Sequence, residues 1–156
     1  MSVSSTVFTT ARYFIKTSFV FFAVGLAAGL YIYGANIFGW FVPTTLVSAH
    51  THILLVGGVL MMILGVAVWF FPRPPKDDSR YNPTLVLLFY GLFTLATALR
   101  FILEILAGIY VLKVLYLGGF LASIVQVGAI AGLIYQVWGR IRPVGSQVRE
   151  KKGERF

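Results

Sequence analysis

The chain has no cysteine, only two histidines and only five acidic residues among its 156 positions. Without cysteine there is no disulfide, no thiolate metal site and no covalent attachment of a c-type haem. A metal, if one is held, is held by imidazole, with Met61 or Met62 as auxiliary donors. Charge of either sign is also scarce. Charged residues make up 12% of the chain, hydrophobic residues 58%, and the mean hydropathy is +0.86, so the polar surface of a soluble domain is missing.

What is present is four long apolar stretches, at about residues 13–33, 46–71, 84–106 and 111–138. Roughly 20 apolar residues suffice to cross a bilayer as a helix. The expected fold is therefore an all-α membrane protein, a four-transmembrane-helix bundle in one domain over residues 1–142. A Ser/Thr-rich leader, residues 2–10, precedes the first stretch. No small-residue cleavage site followed by a soluble domain accompanies it, so this stretch reads as a helix rather than a secretory signal.

The net charge of +8 would suggest nucleic acid in a soluble protein, but its placement decides otherwise. Of the 13 basic residues, all but Arg100 and Lys113 lie at the first helix start, in the 72–83 break, or after the fourth stretch. The segment 34–45 has none. The positive-inside rule then puts both termini in the cytoplasm, with the chain integral to a prokaryotic inner membrane. Basic residues in the tail, 143–156, attract anionic headgroups, and the tail reads as mobile and solvated. Nucleic acid is not an expected partner; the bilayer is. The proline-rich segment 72–83 reads as a compact cytoplasmic turn, with Asn82 capping the third helix ahead of Pro83. Small residues at Gly25–Gly29 and Gly128–Gly132 form GxxxG steps, which support close helix packing and a homo-oligomer.

The two histidines, His50 and His52, sit near the start of the second stretch. At a rise of about 1.5 Å per residue, His50 lies roughly 6 Å below Leu46. Ionisable groups at membrane depth are functional-site candidates by default. The third helix runs the other way and brings Arg100 and Glu104 to the same outer layer, framed by Trp40 and Lys113. Their i, i+4 spacing puts them on one face, where they pair, either as a structural ion pair or as a clamp on an anionic cofactor group. That face continues through Phe93, Ala96, Thr97 and Ala107.

Two residues on a helix differ by about 200° of rotation, so His50 and His52 face different ways. His50 lies above Gly57 and Met61, a stripe with space for a flat macrocycle against the backbone. His52 lies above Val56, Val59 and Ile63, a branched face suited to lipid or a neighbouring subunit. On this geometry His50 is the favoured ligand. Both on one metal ion would require an irregular helix start, which ranks copper behind haem. Tyr90, Gln126 and Tyr135 read as helix-packing hydrogen-bond groups.

The stretch Ala49-His50-Thr51-His52-Ile53-Leu54-Leu55-Val56-Gly57-Gly58, with Gly65-Val66-Ala67 and Phe71-Pro72-Arg73, resembles the second helix of subunit I of the haem–copper oxidase and nitric oxide reductase superfamily. In that family a His-Thr-Asn motif supplies an axial ligand of the low-spin haem. Here His52 stands where the family has asparagine, resembling small four-helix relatives with a His-x-His motif. The likeness is best over residues 44–73. It implies a b-type haem on His50, with His52 a second ligand or interface contact and Arg100 and Glu104 around a propionate. It also implies an incomplete catalytic site, because the family needs further histidines for its binuclear centre and this chain has none. The expected function is therefore a non-catalytic, homo-oligomeric membrane cytochrome for electron transfer or binding of nitric oxide or oxygen. Its expected partners are a quinone, a cytochrome or a larger respiratory complex. The alternative is a cofactor-free accessory or assembly subunit of a respiratory oxidase or reductase. A stand-alone minimal reductase or oxidase ranks last.

Overall fold

A computed structural model describes residues 3–71, 81–141 and 153, with side chains from residue 9 onward. Among the described residues all regular structure is helical: α1 Val3–Phe38, α2 Leu46–Phe70, α3 Pro83–Tyr110 and α4 Lys113–Trp138. All four are long and apolar enough to cross a membrane. The compact turn expected over 72–83 falls outside the described residues as far as residue 80. So does the basic tail from residue 143, apart from Gly153.

The helix ends follow local chemistry. α1 begins about ten residues before the expected start, so the Ser/Thr-rich leader is helical from Val3. It stops where Gly39 takes φ +70°, a left-handed conformation open to glycine without a Cβ penalty, and the Gly39 N–H bonds the Ala35 carbonyl at 2.9 Å. At the start of α3 the Asn82 side chain accepts the Thr84 N–H at 2.9 Å, and Pro83 occupies the first turn, as the sequence predicts. α3 runs four residues beyond its expected end. Val111 then turns the chain at φ +49°, and two residues suffice to reach α4.

α1 packs along α2, α3 packs along α4, and α2 meets α3 between them. Phe14, Phe21, Met61, Val68, Phe93 and Leu133 form the buried core. Glycines set the α1–α2 distance. A Cβ on Gly57 would come 2.8 Å from the Phe21 ring, on Gly58 2.7 Å from Phe22, and on Gly65 2.7 Å from Phe14. In return, Gly25 of α1 seats Leu54 and Gly29 seats the His50 ring. The first GxxxG step is therefore spent inside the chain. In the second, Gly132 seats Phe89, while Gly128 has open space. α2 is not uniform: Ile53–Leu60 winds as a π-helix, directly below the two histidines. Such wide turns are rare and frequently accompany functional sites.

At the opposite end, Arg140 locks α4 to α2. Arg140 is 2% exposed, and its guanidinium donates to the carbonyls of Val68 and Phe71, both at 2.9 Å. Val68 needs this donor, because Pro72 has no N–H to complete the helical bond. Arg140 also stands 5.1 Å over the Tyr81 ring. Burial pushes the Tyr81 phenol above its ordinary range, opposed by the Arg140 charge. Burial likewise lowers the Arg140 guanidinium, opposed by Tyr81.

Candidate functional site

The polar groups of α2, α3 and α4 converge near the end that carries the 39–45 and 111–112 connections. Arg100 is the hub. Its Nε donates to Glu104 Oε1 at 2.9 Å, one Nη to Gln126 Oε1 at 3.3 Å, and the other to His52 Nε2 at 2.8 Å. Gln126 passes the network on, donating to Thr97 Oγ1 at 2.9 Å, and Thr97 donates to the Phe93 carbonyl at 2.7 Å. Arginine only donates, so the His52 nitrogen it engages accepts; the same Nη also lies 3.2 Å from Nδ1. That nitrogen faces Glu104 Oε1 at 3.4 Å and Ser48 Oγ at 3.3 Å.

The charges balance. Arg100 and Glu104 are 20% and 17% exposed at their side chains, and each is the other's counter-ion. Charges taken out of water persist when paired and hydrogen-bonded in this way. One acceptor is left over: Glu104 Oε2 is buried with no hydrogen-bond partner. Glu104 is also among the residues that line a cavity of about 340 Å³ between α2, α3 and α4, with Ser48, Arg100, Tyr116, Gly119 and Phe120. Thr45 Oγ1 donates to the Glu104 backbone carbonyl, and Thr45 also lines this cavity.

His50 lies elsewhere. Its Nδ1 is 2.8 Å from the Gly25 carbonyl of α1, and its ring rests on Gly29. A carbonyl only accepts, so Nδ1 carries the proton and Nε2 is the lone-pair nitrogen. Nε2 has no hydrogen-bond partner among the described residues.

Two expectations from the sequence change here. Arg100 and Glu104 accompany His52, not His50, because α3 packs on the His52 side of α2 and α1 on the other. His52 therefore contacts the Arg100–Glu104 pair, while about a third of its side chain (36%) stays exposed. The glycine stripe is not vacant either: Phe21 and Phe22 fill the space at Gly57 and Gly58, and Met61 is fully buried in the core. Within one chain a macrocycle has no room on that stripe, although the nitrogen of His50 has the form of a ligand. The two histidines face different helices and do not converge on one ion. Among the described residues no group of three or more histidine, cysteine or acidic side chains is placed to hold a metal.

Gln126, assigned above to helix packing, is a full member of the network. Its signal was a 4%-exposed amide at the depth of Arg100, visible only once α3 and α4 are paired. Tyr90 keeps its expected role, hydrogen-bonded to Thr17 Oγ1 at 2.6 Å across α1 and α3. Tyr135 is exposed.

Fold and site together define an integral membrane protein, helical throughout the regular structure of its described residues, with four spanning-length helices and an Arg–Glu–His–Gln network near one end of the bundle. Comparison with protein-family models, curated proteins and solved structures finds no match to this chain.

Proposed function

We propose that this chain is a membrane-embedded b-type haem protein with His50 Nε2 as axial ligand, serving electron transfer or the binding of a diatomic gas. One observation carries the reading: the Gly25 carbonyl fixes the His50 ring through Nδ1 and leaves Nε2 unpartnered. Histidines that ligate metals characteristically donate their other ring N–H to a carbonyl or carboxylate, which sets tautomer and ring direction. A bound haem supplies one-electron chemistry and, where a coordination position is open, gas binding. The chain's own part is to hold the imidazole and to exclude water. Since Phe21 and Phe22 fill the glycine stripe, space for the macrocycle has to come from a second copy, consistent with a homo-oligomer. A quinone, a cytochrome or a larger respiratory complex is the proposed redox partner.

The experiment is an absorption spectrum of protein purified from cells with ample haem, oxidised, reduced and under carbon monoxide. We expect a Soret band and a b-type pyridine haemochrome. Colourless protein would sink the reading.

The filled glycine stripe favours a second reading, a cofactor-free accessory or assembly subunit of a respiratory oxidase or reductase. Co-purification with such a complex, and no chromophore, selects it. Under either reading the charge pattern supports an orientation with both termini in the cytoplasm, in a prokaryotic inner membrane as proposed. The absence of native cysteine makes this simple to check. In intact cells an impermeant maleimide should label Thr44→Cys and spare Ser146→Cys, and the reverse pattern refutes the orientation.

A further inference from the structure

The end of the bundle opposite the Arg100 network carries another cavity, a half-open furrow of about 470 Å³ between α1 and α2. Its walls are Ala11 and Ile15 of α1 and Val66 and Trp69 of α2, and Arg12 stands beside them. Val66 and Trp69 are 42% and 58% exposed on a helix of spanning length, so the furrow opens toward lipid. Apolar walls in that setting accept any acyl chain and select none.

Arg12 supplies the selection. It is exposed and makes no hydrogen bond or ion pair with the described residues, and the same holds for Lys16, one turn further along α1. Among the described residues the only side-chain carboxylate is that of Glu104, at the other end of the bundle, so these two cations have no counter-charge there. Their depth is that of the membrane boundary. α2 ends at Phe70, one residue after Trp69, and α4 ends at the same side with a second exposed tryptophan, Trp138. Exposed tryptophans at the ends of spanning helices sit at headgroup level. A guanidinium at that level meets phosphate, which it binds bidentately. A headgroup that also carries an ammonium brings a like charge toward Arg12 and Lys16, whereas one without it does not.

We propose that this furrow seats one net-anionic phospholipid per chain, with its phosphate on Arg12 beside Lys16 and the upper part of one acyl chain against Ile15, Val66 and Trp69. The site does not depend on haem at His50. Basic residues of the tail attract anionic headgroups without any furrow, so the test separates a seated lipid from diffuse attraction.

The full chain, purified in a neutral detergent, is mixed with equal amounts of dioleoylphosphatidylglycerol and dioleoylphosphatidylcholine, and retained lipid is counted by native mass spectrometry. One phosphatidylglycerol per chain should be retained, at least about tenfold over phosphatidylcholine. Arg12→Gln should remove this preference. Val66→Phe puts a ring into the furrow from an exposed helix position and leaves the charge unchanged, so it should lose most of the retained lipid while keeping the parent's circular dichroism. Replacing Arg149, Lys151 and Lys152 together by Gln should leave the preference intact. Equal retention of the two lipids, indifference to Arg12→Gln or to Val66→Phe, or loss of the preference with the tail substitutions each overturns the proposal. None of these outcomes bears on the Soret band, so the two readings fail independently.

Discussion

Arg100→Met is expected to destabilise the folded bundle by about 3–5 kcal/mol, the cost of leaving one member of a buried ion pair without its partner. The substitution keeps the apolar stem and removes three contacts at once: Glu104 Oε1, Gln126 Oε1 and His52 Nε2. Glu104 then has a carboxylate at 17% exposure with the His52 ring, 3.4 Å away at Nδ1, as its remaining polar neighbour. Removing the carboxylate as well should recover most of the loss. Arg100→Met with Glu104→Leu should lie within about 1–2 kcal/mol of the parent, since an apolar replacement of a buried pair is often nearly neutral. Unfolding by denaturing detergent, followed by circular dichroism, measures both. A single variant within about 1 kcal/mol of the parent, the range of a solvent-exposed ion pair, would contradict the network described here.

Arg140→Ala should cost about 3 kcal/mol, since each hydrogen bond to a charged group contributes roughly 1.5–3 kcal/mol. Two carbonyls at the end of α2 lose their donor, and Pro72 cannot supply one to Val68. Arg140→Lys should recover only part, because an ammonium does not reproduce the planar fork that serves both carbonyls over the Tyr81 ring. The same unfolding assay reads this. Full recovery by lysine would show that the charge matters and the fork does not.

Much of the fold was legible from residue pattern alone, because a spanning helix announces itself by length and apolarity. The Asn82–Pro83 start of α3 was readable for the same local reason, as was the Arg100–Glu104 pairing, which depends only on i, i+4 spacing. What rotation each helix takes about its own axis was not readable. Sequence spacing says that His50 and His52 face different ways, but not which of them meets α3. A glycine stripe reads equally as room for a cofactor and as a seat for aromatic rings. The rings turned out to be Phe14, Phe21 and Phe22, on a helix whose packing partner is fixed only by the whole bundle. Gln126 was missed as a site residue for a related reason: its amide becomes meaningful only beside Arg100 on the neighbouring helix. The third helix runs to Tyr110, four residues past the apolar stretch read from the sequence, and ends where Val111 takes a positive φ that a β-branched residue rarely adopts.

The two histidines differ in their surroundings: His50 is held by a backbone carbonyl with a nitrogen to spare, and His52 is engaged by Arg100. Soret absorbance of His50→Ala and His52→Ala, purified side by side and normalised to protein, tests that separation most directly. The account predicts loss of haem from the first and retention in the second. Retention by His50→Ala with loss from His52→Ala would contradict it.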